Sequence, residues 1–595
     1  MILQSVPTPT FSGIELRPAQ FATLTEALDY AAGGLSGFNY YNGRGELTTV
    51  LSYSELRDRA RALARRLQSL GRGARVALVA HTHPDFMVMF YACQYAALVP
   101  VPLPAAIHLG GHEAYVRHLR QMVLDCKASA AFAPAEFIEL LREAAFDLPM
   151  AVTGTLEDFD QLPAADELPE PPRPQELAYL QYTSGSTRFP RGTMITQAGV
   201  MHNLEVIFNH GFPLEQSDRF FSWLPYYHDM GLVGIVLGCM ATQRSCDFMG
   251  SREFAMRPRL WLKLMSQNRA TISFGPPFGY ALAARRITAR DTETLDLSAW
   301  RVAGVGAEMI HEEWLNAFAK ALAPAGFKPQ AFLPCYGMAE VALAVSFATV
   351  GGGMHLDYVD GDLLSDTGMA QALTEGTDSR RKGFVNCGHA LPGFEVEIRD
   401  DQGRLLPDRR VGRVFLRSPS VMLGYYNQPE ISAEMLSADG WLNTGDLGYR
   451  VDGSLYLTGR AKDLLIINGR NIWPQDLESL AEQQPEVRPT DASAFSVPGS
   501  DGTEVAVLVV QCRETDPRSQ AELADRLHEA ISAEFGIRCL IELVPPHTLP
   551  RTSSGKLSRS VTRKEFLERH DEDALRDASH RRFLVSDGGR RPVAA

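Results

Sequence analysis

Several features are missing from this 595-residue sequence, and each absence removes a class of protein. The eight cysteines (Cys93, Cys126, Cys239, Cys246, Cys335, Cys387, Cys512, Cys539) are scattered with no C-x-x-C pair. A disulfide scaffold or zinc site is therefore not expected, and buried reduced thiols are. No Lys or Arg precedes Arg17, so a secretory signal is not expected. The longest apolar run, Phe86 to Ala106, contains Gln94 and is interrupted by Pro100, Pro102 and Pro104. Those prolines would break a spanning helix, so the run reads as a buried helix followed by an inner strand. A cationic excess is also lacking: 58 Lys and Arg stand against 71 Asp and Glu, a net charge of −13. That balance argues against a general polyanion binder. The expectation is a cytoplasmic protein with no nucleic-acid partner and no integral membrane association.

What is present is ordinary globular composition, 45% apolar and 22% charged, over a length that calls for two or three cores. Ser52-Tyr-Ser-Glu55 has the form of a capping box, and Leu56, Ala60, Leu63, Ala64, Leu67 and Leu70 follow at helical spacing. Arg75 to Ala80 reads as a short strand, and the alternation of strand and helix continues beyond it. Such alternation predicts an α/β fold, a mostly parallel sheet with helices on both faces. Gln161 to Pro174 is rich in proline and acidic groups and reads as a surface connector, after which Leu177 to Tyr182 returns to a strand. After Arg460 the pattern changes to a smaller region with a strand at Glu504 to Gln511 and a helix at Gln520 to Phe535. The predicted division is a large domain over 1–460, a small α+β domain over 461–585, and a disordered tail over 586–595.

The stretch Tyr182-Thr-Ser-Gly-Ser-Thr-Arg-Phe-Pro-Arg-Gly-Thr193 follows a strand directly. Its hydroxyls (Thr183, Ser184, Ser186, Thr187), the backbone near Gly185, and Arg191 suit a phosphate cradle, with a polar surface loop as the alternative. It is not the G-x-x-x-x-G-K-S/T loop of the common nucleotide triphosphatases, which argues against a motor or kinase.

The stretch resembles the phosphate-binding loop of the adenylate-forming superfamily of acyl-CoA synthetases, peptide-synthetase adenylation domains and luciferases. Further motifs follow in that family's order. Leu224-Pro-Tyr-Tyr-His-Asp-Met-Gly231 resembles the segment beside the acid pocket. Gly304-Val-Gly-Ala-Glu308, with Gly306, Ala307 and Glu308, resembles the strand end that holds adenine. Tyr336-Gly-Met-Ala-Glu340 resembles the segment that stacks adenine (Tyr336, Gly337, Met338) and binds magnesium (Glu340). Thr444-Gly-Asp446 and Gly459-Arg460 resemble the ribose clamp, and Pro550-Arg-Thr-Ser-Ser-Gly-Lys556 the catalytic-lysine loop. The resemblance implies ATP and Mg²⁺ as cofactors, Lys556 and His228 as catalytic residues, and Lys462 as the hinge of a mobile small domain. Taken alone, each residue has a plainer reading: a solvated Glu340, a turn Asp446, an ion-paired Arg460, a surface Lys462 or Lys556, a core Tyr336. Arg188 and Arg191 depart from the family's usual glycine and lysine, and Ala339 replaces its usual hydroxyl residue.

Met230-Gly-Leu-Val-Gly-Ile-Val-Leu-Gly238 and Phe274-Gly-Pro-Pro-Phe-Gly279 are apolar with glycine at intervals. From these residues alone, an alkyl tunnel bordered by His228, Met230, Gly231, Gly234, Ile235 and Gly279 and plain core packing both remain open. Three segments, Tyr227 to Gly231, Phe332 to Gly337 and Gly469 to Glu478, resemble the fatty acyl-AMP ligase branch. That resemblance implies activation of a medium- or long-chain fatty acid as acyl-adenylate, then transfer to the phosphopantetheine thiol of a holo acyl carrier protein. The setting would be lipid, polyketide or lipopeptide biosynthesis. It also implies an insertion, placed at about 351–382, that rests on the large domain and restrains the small one. No carrier sequence is evident, so the carrier is expected to be separate. Arg551, Lys556, Arg559, Arg563 and Lys564 suggest a basic face to meet it. The rivals are an acyl-CoA synthetase and a catalytically silent adenylate-binding scaffold.

Overall fold

The computed structural model describes residues 6–105, 111–183, 190–374, 380–498, 504–552, 556–570 and 583–585. The tail expected over 586–595 lies outside these residues.

Six parallel strands form the centre of a nine-stranded sheet, in the spatial order Phe332–Gly337, Val302–Val305, Ile272–Gly275, Phe220–Ser222, Cys246–Met249 and Gly37–Tyr41. Antiparallel strands close both sides. A second, four-stranded parallel sheet holds Val99–Leu103, Arg75–Val79, Ala130–Phe132 and Thr153–Gly154. The expected helix forms over Tyr53–Leu67, with the Ser52 side chain accepting from the Glu55 N–H. The expected inner helix spans Pro84–Tyr95 and is buried on every side, which is why its sequence shows no polar face. The prolines after it do not end the structure. Pro100 and Pro102 sit two apart on strand Val99–Leu103, an outer strand of its sheet. Their missing donors therefore point away from the neighbouring strand.

An antiparallel sheet of Glu395–Arg399, Gly412–Arg417, Leu442–Val451 and Ser454–Arg460 leads to the small domain. That domain carries a sheet of Ala492–Pro498, Glu504–Gln511, Cys539–Val544 and Phe583–Val585. Helices Pro474–Glu482, Pro517–Phe535 and Arg559–Arg569 accompany it. The second of these starts three residues before the expected Gln520, because Asp516 caps it and Pro517 occupies its first turn. The small domain encloses apolar cores of its own. The large-domain-and-small-domain α/β architecture is thus observed.

The described residues of the segment read as an insertion, 351–382, form strand Leu356–Asp360 and helix Gly361–Thr367, and the first strand pairs antiparallel with Arg381–Val385, which starts at the segment's end. Asp357 anchors it to the large domain by accepting from Tyr449 at 2.8 Å and Arg409 at 3.0 Å. Its Val359 and Leu364 share one apolar cluster with Phe384, Tyr449, Tyr456 and Trp473.

Candidate active site

A cavity of about 540 Å³ opens between the two domains, and the motif residues converge on its walls from opposite sides. In its polar corner, Asp446 and Arg460 face each other directly because strands Leu442–Val451 and Ser454–Arg460 pair in that register. Arg460 Nε lies 3.2 Å from one Asp446 oxygen, and the Tyr336 hydroxyl donates to the other at 2.7 Å. Asp446 is buried, and its charge keeps the guanidinium more firmly protonated than usual. Tyr336 thus contributes its hydroxyl to the acidic clamp as well as a ring to the wall. Gly337 and Met338 line the same wall.

Strand Val302–Val305 delivers the next group. Gly306 stands behind the wall, where an added Cβ would meet the Cys335 carbonyl at 2.8 Å. Ala307 takes φ +70°, and its carbonyl accepts from Lys556 Nζ at 2.8 Å. Lys556 therefore reaches across the domain boundary. Burial holds its ammonium below the ordinary lysine range, while Glu308 and Asp229 pull the other way. Burial likewise raises the Glu308 carboxyl, opposed by Lys556 and His228. His228 Nδ1 lies 2.7 Å from Asp229 Oδ1, and the Met230 N–H donates to the same carboxylate at 2.7 Å. Burial would raise Asp229, but His228, Lys556 and that N–H outweigh it and leave the carboxyl below its usual range. Asp229 belongs to the quoted motif, yet nothing local marks it as the partner of His228.

The apolar end of the cavity is formed by aromatic and aliphatic side chains. Met230, Phe274, Phe278, Leu343 and Phe347 line the cavity. Gly231, Gly234, Ile235 and Gly279 stand one layer behind that lining. An added Cβ at Gly231 would lie 2.2 Å from the Pro225 carbonyl, at Gly234 2.9 Å from Leu343, and at Gly279 2.6 Å from the Trp223 ring. Ile235 is fully buried in the core.

Glu340 is buried and accepts from the Tyr425 hydroxyl at 2.8 Å. Burial raises its carboxyl, and Tyr425 partly offsets this. Among the described residues no group of three His, Cys, Asp or Glu side chains is arranged to hold a metal ion. One hard oxygen donor nevertheless fits magnesium, which keeps waters and is usually completed by substrate phosphates. Thr183 opens the hydroxyl-rich loop, its N–H donating to the Arg191 carbonyl at 2.9 Å. Ser184, Gly185, Ser186 and Thr187 lie outside the described residues. Lys462 is exposed in the turn after strand Ser454–Arg460.

The cations expected to form a basic face divide between the cavity and the surface. Arg551, Lys556 and Arg559 line the cavity. Arg559 forms a bidentate pair with Glu478 at 2.7 and 2.6 Å and reaches Asp463 at 3.1 Å. Arg551, Arg563 and Lys564 are exposed, and Lys564 pairs with Glu568 at 3.1 Å. A cationic run read from sequence counts charges but not their partners, and Glu478 is 81 residues away.

Comparison with known proteins matches this geometry to a family. Residues 40–426 match the AMP-binding enzyme family, and residues 469–564 match the AMP-binding enzyme C-terminal domain. A protein of Caulobacter vibrioides, provisionally named an acyl-CoA synthetase, is 44% identical over 95% of this chain and 99% of its own. The medium-chain-fatty-acid–[acyl-carrier-protein] ligase JamA of Moorena producens is 31% identical over 92% and 96%. A solved structure from work on fatty acyl-adenylate ligases of E. coli and L. pneumophila superimposes with a TM-score of 0.88. It is 46% identical and covers 93% of this chain and 99% of its own. Among the described residues no helix is long and apolar enough to cross a membrane. The chain belongs to the AMP-binding enzyme family, in the fatty acyl-AMP ligase branch of the adenylate-forming superfamily, and is an ATP-dependent, AMP-forming acid ligase.

Proposed function

We propose that this protein joins a medium- or long-chain fatty acid to AMP in the cytoplasm and passes the acyl group to the phosphopantetheine thiol of a separate holo acyl carrier protein. The observation that carries the first step is the meeting of Lys556, His228 and Asp229 between an apolar pocket and the Asp446–Arg460 clamp. In that step a fatty-acid carboxylate oxygen bonds to the α-phosphorus of ATP, and the bond to the pyrophosphate oxygen breaks. No proton need move, so charge neutralisation is the main requirement. Lys556 supplies it from the small domain. Asp446 and Arg460 hold the ribose, and Tyr336, Gly337, Met338, Ala307 and Glu308 surround the adenine, with Gly306 supporting that wall from behind. Mg²⁺ held by Glu340 would neutralise the departing phosphates. His228, steadied by Asp229, faces the entering carboxylate, and Met230, Phe274 and Phe347 take the alkyl chain.

In the second step the thiol gives its proton to solvent, its sulfur bonds to the acyl carbon, and the bond from that carbon to the phosphate oxygen breaks as AMP departs with the electron pair. This requires a different face of the small domain, turned about Lys462 at the 460/461 division. The insertion supports a restraint on that turn. Trp473 is 2% exposed within the cluster that Val359 and Leu364 of the insertion build with Phe384, Tyr449 and Tyr456. Withdrawing it would expose ~150–250 Å² of aromatic surface, a cost of about 4–6 kcal/mol. A second reading, with free coenzyme A as acceptor, is favoured by the name of the 44%-identical relative.

Mass analysis of products from fatty acids of graded length, ATP and either coenzyme A or a holo carrier tests both readings. Acyl-AMP and acyl-carrier with little acyl-CoA is the expected result. Rapid acyl-CoA formation would favour the second reading, and absence of acyl-AMP would refute the activity itself.

A further inference from the structure

Three stretches far apart in sequence meet at one buried phenol. Tyr425 is 4% exposed, and its hydroxyl donates to Glu340 Oε1 at 2.8 Å. The Arg191 guanidinium lies 5.4 Å from the centre of the Tyr425 ring. The backbone beside Tyr425 runs along strand Gly192–Thr196, which leaves the hydroxyl-rich loop. Met194 N–H donates to the Gly424 carbonyl at 3.0 Å, Leu423 N–H to Met194 at 3.0 Å, and Tyr426 N–H to Gly192 at 2.8 Å. The same stretch grips the carboxylate segment, since Met422 N–H donates to the Glu340 carbonyl at 2.8 Å. Tyr425 N–H donates to Ser432 Oγ at 2.8 Å, which fixes the residue from its other side.

Residues 422–426 are therefore tied both to the base of the loop and to the segment carrying Glu340. The phenol adds an attachment that reaches the carboxylate itself. A neutral donor on one oxygen of a buried carboxylate restricts its rotation without cancelling its charge. The arrangement differs from that of the Asp446 clamp, where a cation sits on the carboxylate directly.

We propose that Tyr425 is a positioning residue: it fixes one oxygen of Glu340 so that the carboxylate is aimed for the metal–nucleotide complex, and Arg191 over its ring couples that aim to the loop base. The proposal rests on the reading of Glu340 as the magnesium carboxylate. It assigns Arg191 to Tyr425, where the sequence suggested a phosphate contact.

Mn²⁺ with a non-hydrolysable ATP analogue, followed by electron paramagnetic resonance on the full chain, provides a binding readout free of turnover. Tyr425→Phe retains the ring and removes the donor. Loss of a hydrogen bond to a charged group should weaken Mn²⁺–nucleotide binding about tenfold. The KM for Mg·ATP in pyrophosphate exchange should rise similarly, kcat should change less, and the melting temperature should stay near wild type. Glu340→Gln, measured in parallel, separates the two ideas. If Glu340→Gln binds the Mn²⁺–nucleotide like wild type, the carboxylate reading fails. If Glu340→Gln loses binding while Tyr425→Phe keeps it, the carboxylate reading stands and the positioning proposal is overturned. Should Tyr425→Phe not fold, Arg191→Met decides. A weakening of about two- to threefold is expected from loss of one cation–π contact, and unchanged binding would overturn the proposal.

Discussion

Replacing Asp476 by alanine removes the acceptor of Lys382 and perturbs the contact between the insertion and the small domain. Lys382 Nζ lies 2.6 Å from the Asp476 carboxylate, with the two side chains 11% and 15% exposed. The ammonium also sits 3.9 Å from the centre of the Trp473 ring, so the cation is enclosed on two sides. Removing one partner of a buried pair costs about 3–5 kcal/mol, because the other charge is left buried without compensation. Here that cost need not be borne as unfolding. If the small domain turns away, Lys382 regains water, so the penalty falls on the closed arrangement. Suppose closed and open stand at about 99:1 in the wild type. Transfer of only ~1.4 kcal/mol to that equilibrium raises the open fraction about ninefold, and leaves the closed fraction above about 90%. Asp476→Ala should therefore speed thioester formation from supplied acyl-AMP about ninefold or more. Fatty-acid-dependent pyrophosphate exchange should fall less than about twofold at that lower limit. The two half-reactions, measured separately beside a melting curve, test this. A folded variant with both rates unchanged would refute the idea that the Lys382–Asp476 contact controls domain orientation. Equal loss of both rates would point to damage at the site instead.

Three further outcomes follow from the geometry. Lys556→Ala should slow adenylation by ~3–4 kcal/mol of lost charge stabilisation, a few hundredfold, while thioester formation from supplied acyl-AMP survives better; equal losses would refute the two-orientation assignment. Gly304→Ala places a Cβ 1.9 Å from ring carbons of Phe274, which lines the cavity, so the ring must shift into the acyl space. The preferred fatty acid should shorten, with ~1–3 kcal/mol of overpacking strain, and an unchanged length profile in a folded variant would place the pocket elsewhere. Glu482 is a pH probe of the closed interface: burial raises it from 4.5 to about 7, opposed by the Thr490 N–H and Arg285 and reinforced by Glu478 and Asp491. An acid raised on folding holds its proton in the native state, so stability should fall as pH rises from about 4.5 to about 7. Glu482→Gln should flatten that slope and raise the melting temperature at pH 8. A wild-type slope retained in the variant would assign the dependence to another group.

Much of the architecture was legible because its causes are local. Leu177–Tyr182 and Glu504–Gln511 are strands with the bounds that their apolar runs suggest. Ser52 starts its helix because a hydroxyl three residues before an amide is enough to cap one. The motifs that resemble the adenylate-forming enzymes were equally readable, since each is a short stretch whose residues must lie together. Helix starts were less certain, as at Pro517, where the proline and its Asp516 cap lie upstream of the first apolar residue.

What only the tertiary structure decided depends on residues brought together from far along the chain. Lys556 meets Ala307 across 249 positions, and Lys382 meets Asp476 across 94. Arg559, one cation in a basic run, becomes a half-buried partner of Glu478, 81 positions away. Gly231 leaves space for the Pro225 carbonyl, Gly234 for the cavity-lining Leu343 and Gly279 for the Trp223 ring, neighbours that the sequence does not disclose. Periodicity and turn chemistry act within a few residues, so sequence by itself determines elements and short motifs. Whether a charge is paired, or a glycine faces a cavity or a ring, depends on side chains whose nearness is created by folding, and only the folded chain decides it.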